Sequence, residues 1–233
     1  MHREKGRNSR ERRKRQLAVR ITGTTLLCVI CVVGIVFLFG ENKGFRKQDE
    51  ISGDHFDSEE WVGAPEIDVQ LLDVNEYSRP DIKLNQINGI VIHYVANPGS
   101  SAKANRDYFE GLKDTHTTRA SSHFIVGLDG EIVQCIPSSE ISYASNDRNV
   151  DTLSIECCHE DETGKFNKKT YKSMVDLTGW LCYRFELSKD DVIRHYDVSG
   201  KNCPKYFVEH EEEWEKFKDD VDERIQQIRD MHV

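Results

Sequence analysis

The sequence predicts an α/β fold, a mixed central β-sheet flanked by helices on both faces, preceded by a single N-terminal transmembrane helix. Three observations predict it. Beyond residue 65, short apolar runs alternate with amphipathic stretches of helical period. Asp129-Gly130 separates two such runs, the dipeptide most characteristic of a tight hairpin. Ile21–Phe39 holds 19 residues without a charge, close to the roughly 20 that a helix needs to cross a bilayer.

The charge is divided unevenly. Residues 1–20 carry nine Lys/Arg against Glu4 and Glu11, a net of +7, while the remainder carries 23 basic and 39 acidic side chains, a net of −16. Clustered Lys/Arg stay on the cytoplasmic side, so 1–20 reads as a basic cytoplasmic tail and the long acidic part as extracytoplasmic. A cleaved signal peptide would have a shorter apolar region and a small-residue cleavage site, whereas Phe37, Leu38, Phe39, Gly40, Glu41 and Asn42 provide none. Residues 21–39 therefore predict an uncleaved, single-pass signal anchor in the cell membrane. Next to such a span, topology and anionic lipid explain the basic tail, and no nucleic-acid partner is expected. Residues 40–64 are polar and aperiodic, as in a linker, with Trp61 and Val62 placed to dock on the adjoining domain. Residues 65–233 read as one domain, expected to be monomeric.

Within that domain Gly89–Tyr94 predicts a buried strand, and Ser101–Lys113 a helix capped by Ser100 or Ser101 with Ala102, Tyr108, Phe109 and Leu112 inward. His123–Leu128 and Glu131–Ile136 form the hairpin arms, and Thr152–Cys158 is a further strand. Asn167 caps a long helix with Tyr171, Met174, Val175, Thr178, Leu181, Cys182 and Phe185 on one face. Asp191–His195 is a last short strand. Glu211–Arg229 is a helix with Trp214, Phe217, Val221, Ile225 and Ile228 aligned.

The stretch most suggestive of chemistry is Arg194–Pro204, RHYDVSGKNCP, which sets His195 at a strand end and Cys203 eight residues later. His93 ends the first strand of the domain. Two imidazoles and a thiolate would fill three tetrahedral zinc positions and leave the fourth for water, the pattern of a catalytic site. The spacing alone is not diagnostic, because His93 and His195 stand 102 residues apart. Of seven cysteines, Cys28 and Cys31 lie in the apolar span, and the odd five that remain leave at least one unpaired in the absence of intermolecular bridges.

From Leu71 through Phe217 the chain resembles the type-2 N-acetylmuramoyl-L-alanine amidases, the group that includes T7-type lysozyme and the peptidoglycan recognition proteins. The resemblance lies in YSRP (Tyr77–Pro80), GIVIHYVANPGSSA (Gly89–Ala102), SSHFIVGLDGEIVQCIP (Ser121–Pro137), DTLSIECC (Asp151–Cys158) and RHYDVSGKNCP, in family order. It implies one zinc ion per chain held by His93, His195 and Cys203. It also implies hydrolysis of the amide between the lactyl group of N-acetylmuramic acid and L-alanine in peptidoglycan. It points to Glu156 as the catalytic glutamate and to Lys201, two residues before Cys203, as an oxyanion donor or proton shuttle. T7-like members carry a tyrosine where this chain has Ser122, which shifts weight to Glu156. Tyr143 stands where many relatives have a histidine near substrate, so Tyr143 and Ser122 are candidate substrate contacts. His123 reads as a sheet residue and not a ligand.

Two rival readings stand beside the hydrolase. A non-catalytic peptidoglycan-binding module would commonly have lost the cysteine ligand, and Cys203 is present. A cysteine peptidase built on Cys203 and His195 would need a depressed thiol pKa, and no helix N-terminus is evident to supply it.

Overall fold

The protein is described by a computed structural model covering residues 61–231. The expected cytoplasmic tail, the 21–39 span and most of the linker lie outside the described residues. Among the described residues no helix is long and apolar enough to cross a membrane.

The strands are β1 (Asp68–Val69), β2 (Ile90–Tyr94), β3 (Phe124–Val126), β4 (Ile132–Gln134), β5 (Leu153–Cys157) and β6 (Val192–Arg194). They form one sheet in the order β1-β4-β3-β5-β2-β6. Only the β3–β4 pair is antiparallel, so the sheet is mixed as the sequence predicts. The hairpin turns at Gly130, whose φ of 86° a residue with a side chain rarely adopts.

Alternation along the strands sorts the two faces. Ile90, Ile92, Phe124, Val126, Leu153, Ile155 and Cys157 point to one side. There they meet α2 (Lys168–Arg184) and α5 (Glu211–Asp230), with Met174, Leu177, Trp180 and Leu181 from the first and Trp214, Phe217, Val221, Ile225 and Ile228 from the second. Full burial of each large side chain contributes about 1.5–3 kcal/mol. The five α5 residues predicted to face inward all do so. Asn167 caps α2 as expected, its Oδ1 accepting from the Lys169 and Thr170 amides at 2.9 Å each. Gly179 lets the two helices approach closely, since a Cβ there would lie 2.5 Å from Arg224 Cγ. Ahead of the predicted domain start, Trp61 stacks on Trp180 with ring centroids 5.3 Å apart.

The opposite face is covered by α1 (Ala102–Thr115), which lies over β3 and β4. Ser101 is its N-cap, accepting from the Ala104 amide. Ala102, Phe109 and Leu112 are buried with Ile125, Val133 and Ile136. The expectation for Tyr108 is overturned: it is 53% exposed, and the inward position is taken by Asn105. Asn105 can be buried because its Nδ2 donates to Ser100 Oγ at 2.8 Å and to Ser101 O at 2.9 Å.

Candidate metal centre

On the face that carries α1, the odd-numbered side of β2 and the even-numbered side of β5 bring polar residues together. His93 on β2 is in register with Glu156 on β5. The strand predicted over Asp191–His195 stops at Arg194, and His195 opens a short helix, α3 (His195–Ser199). Asp197 Oδ2 accepts from the Arg194 amide at 2.8 Å, and its Oδ1 meets Arg194 Nη2 at 2.9 Å. Arg194 also donates to Phe207 O at 3.0 Å and to Glu211 Oε2 at 2.6 Å, tying α3 to α4 (Lys205–Glu209) and α5. The buried arginine thus fixes where His195 begins.

The GKNC turn then returns the chain. Gly200, with φ of 74°, closes α3 by donating its amide to Tyr196 O at 2.7 Å. The Tyr196 amide donates to Cys203 O at 2.8 Å, which brings Cys203 back beside the start of the helix. In consequence His93, His195 and Cys203, distant in sequence, place their ligand atoms within 4.8 Å of one another. All three are buried. Cys203 Sγ lies 3.9 Å from His93 Nδ1, and the two imidazole centroids are 4.7 Å apart.

One nitrogen of each ring is engaged. His93 Nε2 lies 3.1 Å from Ser145 Oγ, and His195 Nε2 lies 2.8 Å from Asn146 Oδ1. His195 Nδ1 is buried with no protein partner. A buried polar atom left unmatched is costly, and this one belongs to a ring whose centroid lies 4.7 Å from that of His93. Neutral imidazoles and a thiolate suit zinc, and three ligands leave an open position, so the residues present fit that ion. Burial, reinforced by the neighbouring His195, holds His93 well below the usual histidine range, and burial lowers His195 as well. Both rings are therefore neutral at pH 7, the state a metal requires.

Burial pushes the Cys203 thiol up to about 12, with the Glu156 charge adding to the shift. That is the wrong direction for an unassisted nucleophile and weighs against the peptidase reading. Beside a cation the same thiol would lose its proton on binding.

Glu156 is only partly buried as a whole, yet its Oε2 is sealed from solvent with no hydrogen-bond partner. Burial raises this carboxyl to about 8, opposed by the charge of Lys201. Lys201 is exposed, and its charge also depresses His93 and His195. Ser122 is fully buried, its hydroxyl directed at Phe124 O and Ser154 O at 2.9 Å each, which leaves no surface for a ligand. Tyr143 is partly buried against the core on the α2 side, and its amide donates to Ser121 Oγ. His123 is a sheet-network residue and not part of the cluster, as expected. Sequence reasoning did not single out Ser145 or Asn146, because SND within a polar loop reads as an ordinary turn.

Residues 83–206 match the family described as N-acetylmuramoyl-L-alanine amidase. The chain belongs to this family. Among curated relatives, the N-acetylmuramoyl-L-alanine amidase CwlL of Bacillus licheniformis is 36% identical over 162 residues, 64% of this chain and 44% of that protein. BlyA of Bacillus subtilis, also named an N-acetylmuramoyl-L-alanine amidase, is 32% identical over 169 residues, again 64% of this chain and 44% of the relative. This chain thus spans less than half the length of the curated relatives it matches. Among solved structures, the catalytic domain of XlyA superposes with a TM-score of 0.58 at 26% identity, covering 67% of this chain and 99% of that one. A mutant endolysin from Bacillus subtilis gives 0.58 at 27% identity, covering 67% and 98%. The amidase-family match spans every residue of the cluster, from His93 to Cys203.

Proposed function

We propose that this chain is a zinc-dependent amidase that cleaves the bond between the lactyl group of N-acetylmuramic acid and L-alanine in peptidoglycan, in cell-wall remodelling or lysis. The observation that carries the reading is the convergence of His93, His195 and Cys203, in which His195 Nδ1 is buried without a partner. These three residues would hold one zinc ion. Once bound, zinc would supply Lewis acidity, making a nucleophile available near neutral pH and polarising the scissile carbonyl.

Glu156 is the general base in this reading. It takes the proton of the attacking water and later hands it to the departing amine. Its position in register with His93, and a buried Oε2 with no hydrogen-bond partner, support that role. Lys201 donates to the oxyanion as the carbonyl becomes tetrahedral. Its charge reaches the Glu156, His93, His195 and Cys203 side chains, which supports a place at the mouth of the cluster.

The assay is direct. The zinc-loaded full-length chain is incubated with purified peptidoglycan and the released fragments are sequenced from their N-termini. Stem peptides beginning with L-alanine are expected. Intact peptidoglycan, or cleavage at another bond, rejects the reading.

The same proposal places the domain outside the cell, tethered by residues 21–39, on the strength of the +7 tail before an uncharged 19-residue span. Tethering would raise the enzyme's local concentration at the wall. A reporter fused after Val233 should be extracytoplasmic on membrane-bound, full-length protein, and a mature chain starting near residue 40 would contradict the anchor.

A further inference from the structure

We propose that Ser145 and Asn146 are positioning residues that lock both cluster histidines in one tautomer, proton on Nε2, so that both Nδ1 lone pairs face a single metal position. The inference rests on the zinc reading above and adds the device that prepares the site before metal arrives.

A neutral imidazole carries one N–H, and the partner of either nitrogen decides which one bears it. His93 is on β2 and His195 opens α3, so nothing in their own elements makes their proton positions agree. Two consecutive residues of one loop do. Ser145 Oγ stands 3.1 Å from His93 Nε2, and Asn146 Oδ1 stands 2.8 Å from His195 Nε2. The amide oxygen is acceptor-only, so His195 Nε2 must donate, and the unmatched His195 Nδ1 is then a lone pair. Ser145 Oγ is able to accept from His93 Nε2, and in that arrangement His93 Nδ1 is a lone pair, 3.9 Å from Cys203 Sγ.

The loop is braced for the task. Asn149 Oδ1 accepts from the Ala144 amide at 3.0 Å and the Ser145 amide at 2.6 Å. The Arg148 amide donates to Ser145 O at 3.0 Å, and Thr152 Oγ1 donates to Arg148 O at 2.7 Å. Asn146 has φ of 52°, a left-handed backbone that asparagine tolerates better than most residues. The 3-10 turn Asn146–Val150 packs against α3, the helix that presents His195. One rigid turn therefore reaches both rings. His123 provides the contrast, since both of its nitrogens are occupied and neither could serve a metal.

The test uses the full-length chain labelled with ¹⁵N-histidine. In the metal-free wild type near neutral pH, long-range ¹H–¹⁵N correlations should show His93 and His195 protonated at Nε2. A proton on Nδ1 of either ring overturns the proposal. Zinc affinity is then read by competition with a chromophoric chelator. Ser145→Ala and Asn146→Gly should each weaken it about 10–100-fold, the usual cost of losing a group that orients a metal-binding histidine. Glycine is chosen at 146 because it accepts the left-handed backbone. Asn146→Asp keeps an acceptor and should stay near the wild-type affinity. Wild-type affinity in folded Asn146→Gly, or an Asn146→Asp chain as weak as Asn146→Gly, overturns the proposal. A wild-type chain that takes up no zinc would reject the metal reading itself, and the tautomers of the metal-free chain would still decide the positioning.

Discussion

Two polar regions sit side by side on the same face of the sheet, and they differ in how fully their atoms are matched. Around His123 everything is paired. Its Nδ1 accepts from the Ser154 amide at 3.0 Å and its Nε2 donates to Glu140 O at 2.8 Å. Ser122 and Ser142 complete the set through Ser154, the latter at 2.8 Å from Ser154 Oγ. Two residues along β5, Glu156 Oε2 has no partner, and neither does His195 Nδ1. Both regions are buried and both hold neutral imidazoles, so burial and residue type do not separate them. Matching does: a satisfied polar network holds a fold together, and an unsatisfied one beside it waits for something else.

The largest effect expected from that difference is at Glu156. Glu156→Gln keeps the shape but cannot accept a proton, so the rate should fall about 10²–10⁴-fold with zinc content unchanged. A near-normal rate would break the contrast, because the unmatched carboxylate would then have no chemical duty. Lys201→Met should cost about 10²-fold, as for loss of one oxyanion donor, while keeping the acid limb of the pH–rate profile that Glu156→Gln abolishes. On the matched side the effect moves to stability. His123→Ala strands the Ser154 amide and the Glu140 carbonyl and should cost about 1–3 kcal/mol in denaturant unfolding, with zinc uptake intact.

The same contrast also sets the pH dependence of the metal-free fold. Glu156, raised to about 8 by burial, contributes stability that is complete below its ordinary value of 4.5 and is lost as pH rises toward 8. His123, lowered to about 4 by burial, contributes stability that is complete above its ordinary value of 6.5 and is lost as pH falls toward 4. His93 and His195, also lowered, share that acid-side loss. Thermal melts of the chelator-treated protein should therefore show Glu156→Gln removing the loss on the alkaline side only. An unchanged alkaline side would mean that Glu156 is not sealed in solution.

Elements with a strong period were legible in the sequence, and those set by distant partners were not. The α5 stripe, the Asn167 cap and the Asp129-Gly130 hairpin each depend on neighbours within a turn or two, and each formed as read. Tyr108 failed because its position on α1 points away from β3 and β4, while Asn105 could be buried only through bonds to Ser100 and Ser101. The two-residue edge strand β1 is too short to carry a pattern, and it pairs with β4, some 60 residues on. The helix at His195 was hidden because Arg194 and Asp197, which start it, read as loop charges until Phe207 and Glu211 are seen beside them. Within the site the metal-binding types were visible through family resemblance. The hydroxyl and amide that hold the two histidines, Ser145 and Asn146, were not, because a short polar side chain gives no hint of a partner about 50 residues away.

Metal content tests the proposal of a zinc site most directly. Elemental analysis of the purified full-length chain should find about one zinc per chain in the wild type and in His123→Ala. His93→Ala, His195→Ala and Cys203→Ala should each lose most of it, because a three-ligand site with an open position does not survive removal of a ligand. Full zinc retention in Cys203→Ala together with loss of activity would contradict the assignment, since Cys203 would then act as a nucleophile and not as a ligand.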